Sequence, residues 1–193
     1  MSQATDHESV SIYQFTDDEI DSLMTKAGEC VLNWGTKDHW PVGVVHSFVW
    51  VDGKVWITFA SHRHRTTAIK RDPRVSVVVS SRAHSDPAGP HGQACVKGRA
   101  VFHDDRETLT WMYRQLADKV GQGNKEIADD FYSLLDSPLR TCIEITPEKW
   151  ITFNSAKSSS HRAGTLDESE LSAPASSDTE RMPAEIAKRG LDS

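Results

Sequence analysis

A run of basic and hydroxyl side chains lies between positions 62 and 67. It reads His62, Arg63, His64, Arg65, Thr66 and Thr67. Guanidinium groups, hydroxyls and the free backbone N–H groups of a helix start are donors that bind a phosphate dianion. The segment therefore predicts a phosphate site. The alternative is an ordinary solvated loop, since charged side chains are usually exposed.

The chain has nine histidines, which raises the question of a metal or haem site. His62 and His64 are separated by one residue, and His84, His91 and Cys95 follow along the chain. Zinc and haem accept these ligand types. Their spacing is too loose to define a site, so no metal is predicted.

The composition indicates one globular domain with polar ends. The chain has 193 residues, of which 37% are hydrophobic and 26% charged, and its net charge is −6. An acidic chain without a cluster of Lys and Arg is unsuited to nucleic acid. Three well-separated cysteines indicate neither a disulfide framework nor a thiolate zinc site. No N-terminal apolar segment or long apolar stretch occurs. We therefore expect a soluble, cytoplasmic protein with no nucleic-acid or membrane partner.

The spacing of apolar residues predicts an antiparallel meander with inserted helices. Strand patterns occupy residues 30–34, 42–51, 55–60, 74–80, 93–102, 141–145 and 149–153. Helix patterns occupy residues 17–27, 65–71 and 125–135, and another helix opens at Asp104-Asp105. Thr16 and Glu19 have the spacing of a capping box, and Asp52-Gly53 is a strong hairpin signal. Six or seven strands in this order are typical of a small antiparallel barrel of the α+β class.

Both ends of the chain lack the pattern of a packed domain. Residues 1–13 show no apolar period and are expected to form a flexible arm. After Ser155 the composition shifts to Ser, Ala, Glu and Asp, with too little apolar surface to offset the entropy of ordering. We therefore expect one domain at residues 14–154 and a disordered tail at 155–193, with weak helix propensity at 183–189.

Three segments have a recognisable order and spacing. They read KVWITFASHRHRTTAIKRDPRVSVVVS, QACVKGRAVFHDDRETLTWM and RTCIEITPEKWITF. In this order they resemble the FMN-binding split barrels of the pyridoxamine 5′-phosphate oxidase-like superfamily. The resemblance implies a mainly β, antiparallel split β-barrel of six to seven strands with flanking helices.

The same resemblance assigns the phosphate-binding positions. It places the paired basic residues of the family at His64 and Arg65. Arg65 keeps the positive charge, whereas the imidazole of His64 is only fractionally charged at neutral pH. Arg63, Thr66 or Lys70 would then supply the missing donor.

On the strands, the resemblance places Thr58 and Phe59 beside the ribityl and phosphate side of the flavin. Val44 and His46 match the strand that lies against the ring, although the basic residues that the family carries there are absent. Gln93 matches a glutamine that hydrogen-bonds the cofactor. His46 is the only candidate for a general base, and a buried structural histidine is the alternative.

The function that the resemblance implies is an FMN-dependent oxidoreductase acting on a small molecule, with the flavin carrying the hydride. The deazaflavin coenzyme F420 is a second candidate, because its phosphate would use the same basic residues. A third candidate is a non-catalytic carrier or sensor of flavin or haem, which the His-rich loop and the missing basic residues favour.

The resemblance also implies a homodimer with a cofactor at each subunit interface. A half-open barrel with exposed apolar strands would otherwise tend to aggregate. Six tryptophans, most of them in predicted strands, are expected in the core and the dimer interface. They are Trp34, Trp40, Trp50, Trp56, Trp111 and Trp150.

Overall fold

The computed structural model describes residues 8–86 and 89–191. Within these residues it has seven strands in one antiparallel sheet and six α-helices. The strands are Glu29–Gly35 (β1), Pro41–Ser47 (β2), Val49–Val51 (β3), Lys54–Ala60 (β4), Arg74–Ser80 (β5), Gly92–His103 (β6) and Arg140–Asn154 (β7). The helices are Asp17–Lys26 (α1), His64–Arg71 (α2), Arg106–Gly121 (α3), Lys125–Leu135 (α4), Ser155–Arg162 (α5) and Met182–Arg189 (α6).

The sheet curls into a half-barrel because β2 and β3, which follow one another along the chain, lie at opposite edges of the sheet. The strand order is β2-β1-β5-β6-β7-β4-β3, so β2 and β3 form the two edges. Only Phe48, which is fully buried, separates them along the chain. One residue can join the two edges only if the sheet bends round to bring them together. The predicted single strand at 42–51 was therefore wrong: it is two strands that pair with different neighbours.

The β7 strand corrects a second prediction. The two strands expected at 141–145 and 149–153 are one continuous strand that pairs with β6 from Cys142 to Asn154. The pairing register shifts between Lys97 and Gly98, which lies opposite Pro147. A Cβ atom at Gly98 would lie 2.4 Å from the carbonyl oxygen of Thr146, so only glycine allows this close approach.

The local signals in the sequence were reliable. The capping box at Thr16 and Glu19 is present, and the side chain of Asp105 caps α3. Asp52 and Gly53 both have positive φ, as a two-residue type I′ hairpin requires. Helix α2 begins at His64, one residue earlier than predicted.

Two apolar clusters lie on the two faces of the sheet. The larger cluster fills the concave face, where α1 and α2 pack on the strands through residues such as Leu23, Leu32, Ile57 and Ile69. The smaller cluster lies under α3 and includes Trp56 and Met112. Strand β4 is buried on both faces because it takes part in both clusters.

Residues 8–13 and 155–191 have contacts and helices that the sequence pattern does not predict. Residues 1–7 of the predicted arm lie outside the described residues, but Tyr13 is buried and its carbonyl accepts a hydrogen bond from the Asn154 N–H. In place of the expected disordered tail, the structure has α5 and α6. Asp178 in this region accepts hydrogen bonds from the backbone N–H and the hydroxyl of Ser11. Polar contacts hold this segment. Because such contacts do not require apolar residues at regular spacing, the sequence pattern did not indicate them.

Between β5 and β6 the chain has a short 3₁₀ turn at Ser81–Ala83, and residues 87 and 88 lie outside the described part. No helix in the described ranges is long and apolar enough to cross a membrane.

Candidate functional site

Arg65 points from α2 toward the concave side of the barrel. Its guanidinium carbon lies 5.6 Å from the centre of the Trp34 ring on β1 and 5.5 Å from the centre of the Phe59 ring on β4. Its Nη1 donates a hydrogen bond to Nε2 of His46 on β2. Three strands and one helix therefore meet at this guanidinium. We call Arg65, Trp34, Phe59 and His46 the Arg65 cluster.

Within the described residues, Arg65 has no carboxylate partner and no hydrogen bond other than the one to His46. Burial lowers the pKa of Arg65, and the positive charge of Arg63 lowers it further. A partly buried cation of this kind is costly unless an anion neutralises it. The surroundings of Arg65 thus favour an anionic ligand.

His46 is held as a neutral hydrogen-bond acceptor. A guanidinium carries only donors, so Nε2 of His46 must accept and the proton of the imidazole must lie on Nδ1. Burial, with a contribution from the charge of Arg65, lowers the pKa of His46 to about 4. The imidazole is consequently uncharged at neutral pH.

The N-terminus of α2 is suited to an anion. Its N-cap residue, Arg63, makes no capping hydrogen bond through its side chain, and the first turn holds no acidic residue. Thr66, in this first turn, is only 6% exposed, and its hydroxyl has no hydrogen-bond partner among the described residues. Free backbone N–H groups and an unpaired hydroxyl are donors for a phosphate oxygen.

The other basic candidates lie nearby on the same helix. Arg63 and His64 are exposed. The Lys70 ammonium lies 4.9 Å from the centre of the Phe102 ring, which itself packs edge-on against Phe59. Lys70 therefore contacts Phe102, and Phe102 contacts Phe59 of the Arg65 cluster.

The strand candidates do not all face this cluster. Val44 and His46 are on one face of β2, opposite Leu32 and Cys30 of β1, and Val44 packs on the concave core. Thr58 faces away from Phe59, because successive side chains of a strand alternate. Its hydroxyl donates to the carbonyl oxygen of Thr141 at 2.9 Å.

Gln93 is exposed on the convex face of β6, the opposite face from Ala94 and Val96, which belong to the concave core. Gln93 therefore does not join Arg65 within this chain.

Gln93 borders an apolar row that crosses five strands of the convex face. The row consists of Val45, Val31, Val78, Cys95 and Ile151, which lie next to one another in the strand pairing. Val45 is 58% exposed and Ile151 51% exposed, and the three residues between them are partly buried. The convex face thus presents apolar surface that the described residues leave exposed.

Sequence reasoning assigned Trp34 to the core or the dimer interface and missed its contact with Arg65. Strand alternation carried a signal, since Trp34 is in phase with Cys30 and Leu32, which face inward. Its neighbour across the barrel could not be read from the sequence, because Arg65 is distant along the chain.

The histidines of the basic segment do not form a metal site with their neighbours. Among residues 8–86 and 89–191, no three His, Cys, Asp or Glu side chains are grouped so as to hold a metal ion. His62 and His64 are both exposed.

The donors in this region suit a ligand that carries a phosphate. Arg65, the Thr66 hydroxyl and the start of α2 are groups that a phosphate oxygen accepts from, and Phe59 packs beside the Arg65 guanidinium. Val44 is an apolar residue on the same strand face as His46.

Several solved structures have this fold. The conserved hypothetical protein Rv2991 of Mycobacterium tuberculosis is 16% identical, with a TM-score of 0.64 over 88% of this chain and 99% of that protein. An F420 reductase is 21% identical, with a TM-score of 0.51 over 68% and 94% of the two chains. HutZ, the haem storage protein of Vibrio cholerae, is 14% identical, with a TM-score of 0.51 over 72% and 96%. At these identities the likeness establishes the fold alone.

No protein of curated function is significantly similar to the chain in sequence. Residues 16–154, which contain all seven strands and the Arg65 cluster, match the family profile of pyridoxamine 5′-phosphate oxidase. The match extends over most of the chain and agrees with the observed half-barrel. The chain therefore belongs to the pyridoxamine 5′-phosphate oxidase family.

Proposed function

We propose that this protein is an FMN-dependent oxidoreductase that acts on a small molecule. The observation that carries the proposal is Arg65, a partly buried guanidinium with no carboxylate partner in the described residues. A dianionic phosphate is a ligand that the planar fork of such a cation would bind. Bound FMN would supply hydride transfer, which no side chain of a protein can perform.

The chain itself would bind and orient the cofactor. Arg65, the hydroxyl of Thr66 and the first N–H groups of α2 would hold the phosphate. Arg63 and His64, exposed at the same helix start, would add charge from the solvent side. Phe59 and Val44 would exclude water from the ring side, which strengthens the ionic contacts.

We propose further that the protein works as a homodimer. The apolar row from Val45 to Ile151 is a surface that a second copy would cover, and two identical faces of this kind form a two-fold interface. Gln93 borders this row on the face opposite Arg65. If both residues contact one cofactor, as the family resemblance implies, they must come from different subunits.

The second candidate is an F420-dependent reductase. The F420 reductase of the same fold favours it, and the phosphate of that coenzyme would use the same donors. The third candidate is a haem-binding carrier or sensor. HutZ favours this function, and the exposed imidazoles of His62 and His64 are ligands that haem iron accepts.

The visible spectrum of the freshly purified protein separates these candidates, followed by titration of the cofactor-free protein with FMN, F420 and haem. We expect two broad flavin bands and tight binding of FMN. A sharp Soret band, or saturable binding of haem alone, would replace the proposal with the third candidate. Binding of F420 without FMN would favour the second. Failure to bind any of the three would remove the enzyme hypothesis.

A further inference from the structure

We infer that His46 is a positioning residue: it directs the Arg65 guanidinium toward the cofactor phosphate and so makes the site prefer phosphorylated over unphosphorylated flavin. The inference rests on the proposed function and extends it to a residue that makes no phosphate contact of its own. It also gives His46 a role other than general base.

The first argument is the geometry of the guanidinium. Arg65 has five N–H donors in a rigid plane, and the aromatic rings of Trp34 and Phe59 restrict how that plane can tilt. The hydrogen bond from Nη1 to His46 fixes the remaining rotation within the plane. The donors that are left then point in a defined direction, and they have no other partner among the described residues.

The second argument is charge. Arg65 lies next to the positive charge of Arg63, so a cationic side chain at position 46 would repel it. No acidic group contributes to the lowered pKa of His46, whose causes are burial and Arg65. A neutral imidazole can accept from the guanidinium without neutralising it. The full positive charge of Arg65 is therefore kept for the ligand.

The contacts around His46 complete the argument. Its ring lies 5.9 Å from the ring of Phe59, and in the pairing of β1 with β2 it faces Cys30. Burial raises the pKa of the Cys30 thiol to about 12, so this neighbour is also neutral. Arg65 is the one charged group that contacts the imidazole within the described contacts, so the hydrogen bond between them is its only interaction with a charge.

The first experiment compares FMN with riboflavin, which lacks the phosphate, by fluorescence titration of the cofactor-free protein. In His46→Leu we expect FMN affinity to fall about tenfold, while riboflavin affinity stays within about twofold. In His46→Gln, whose amide oxygen can accept from Arg65, part of the FMN affinity should return. Val44→Ala is the matched control, because it removes a ring-side contact from the same strand face and should weaken both flavins alike.

An equal loss of FMN and riboflavin affinity in His46→Leu would overturn the inference, because a merely structural histidine would affect both. So would a His46→Gln variant as weak as His46→Leu.

The second experiment needs no cofactor and separates this inference from the proposed function. Nitrogen-15 NMR of the cofactor-free protein should show His46 as the Nδ1–H tautomer, titrating well below 6.5. Arg65→Met should raise that pKa, since it removes the neighbouring positive charge. If wild-type protein binds neither flavin, the proposed function is wrong. A His46 that then titrates near 6.5 in both proteins overturns the Arg65 pairing as well.

Discussion

The Lys119 ammonium on α3 lies 4.2 Å from the centre of the Phe48 ring, at the point where the chain crosses between the two edges of the sheet. Within the described residues this ammonium has no hydrogen-bond partner. Burial lowers the pKa of Lys119 to about 8. A cation–π contact is thus its main compensation for lost hydration, and such a contact only partly offsets the cost of burying a charge.

We predict that Lys119→Met stabilises the protein at pH 7 by about 1–2 kcal/mol, since methionine keeps much of the apolar stem and removes the buried charge. The direction in which stability changes with pH follows from the difference in proton binding between the folded and unfolded chain. Between the folded pKa of about 8 and the unfolded value of 10.5, the unfolded chain binds more protons, so wild-type stability should rise with pH across this window. Urea denaturation at pH 7 and pH 10 measures both effects.

Lys125→Met is the matched control, because Lys125 is exposed and forms only a surface pair with Asp129 on the same helix. Its effect should stay within about 0.5 kcal/mol at both pH values. A Lys119→Met variant that is less stable than wild type at pH 7 would mean that the cation–π contact outweighs the cost of burial.

The elements of the fold followed from the sequence wherever the signal was local. Caps, hairpin turn and amphipathic helices depend on neighbours within a few residues, and the structure has them. The break at Phe48 depends on which distant strand each half of residues 42–51 pairs with, and both halves are equally apolar. The two strands predicted at 141–145 and 149–153 are one strand, because Gly98 on the opposite strand absorbs the irregularity at Pro147, which lacks an N–H donor.

Arg65→Ala should weaken FMN binding by about ten- to a thousandfold, because it removes charge-assisted hydrogen bonds worth about 1.5–3 kcal/mol each. Arg65→Lys should retain only part of the FMN affinity, since lysine keeps the charge but lacks the planar fork of the guanidinium. The Tm of cofactor-free Arg65→Ala should differ from that of wild type by only about 2–4 °C. Loss of the contacts with the Trp34 and Phe59 rings lowers the Tm, whereas removal of an unpaired charge raises it, so the two effects partly cancel. Fluorescence titration and thermal melts measure the two effects.

Arg82→Ala is the control for this series, since Arg82 is exposed in the 3₁₀ turn after β5. Its FMN affinity should match that of wild type. If Arg65→Ala binds FMN as tightly as Arg82→Ala does, the phosphate lies elsewhere and the basic segment is an ordinary surface.

The site was predictable in part. The sequence indicated the basic helix start and Arg65 because six residues in a row carried the signal. The contacts of Arg65 with Trp34 and His46 join segments that are far apart in the chain, so no local pattern could indicate them. The family resemblance placed Thr58 and Phe59 together beside the flavin, yet strand alternation places them on opposite faces of β4.

Ile151→Lys should convert the proposed dimer into a monomer without unfolding it. Ile151 is 51% exposed in the single chain, so a lysine there can reach solvent in the monomer but would bury a charge in the interface. Light scattering should give a mass of about twice 21.5 kDa for wild type and about half that value for the variant.

Leu134→Lys on α4 is the control, because Leu134 is 73% exposed and lies outside the apolar row. It should remain dimeric. A wild-type protein that is monomeric at micromolar concentration, or an Ile151→Lys variant with the wild-type mass, would contradict the proposed interface.

The last prediction concerns the C-terminal segment, which contacts α1 through the partly buried carboxylate of Glu19. Glu19 of the α1 capping box accepts hydrogen bonds from the Thr16 N–H and the Asn154 side chain, both at 2.8 Å. The Lys157 ammonium on α5 lies 3.3 Å from the same carboxylate and donates to the Gln14 carbonyl at 3.2 Å. Lys157 is only 9% exposed, whereas the side chain of Glu19 is 30% exposed, so this ion pair is partly shielded from water.

Lys157→Met should therefore destabilise the protein by about 1–3 kcal/mol, because it leaves Glu19 without its cation and the Gln14 carbonyl without its donor. Lys188→Met is the matched control: its ammonium is mostly exposed and pairs only with Glu185 on the same helix, so its effect should stay within about 0.5 kcal/mol. Urea denaturation measures both, and proteolysis at residues 155–191 should accelerate in Lys157→Met alone. Equal stability and equal cleavage rates in the two variants would mean that α5 does not depend on Lys157 for its place against α1.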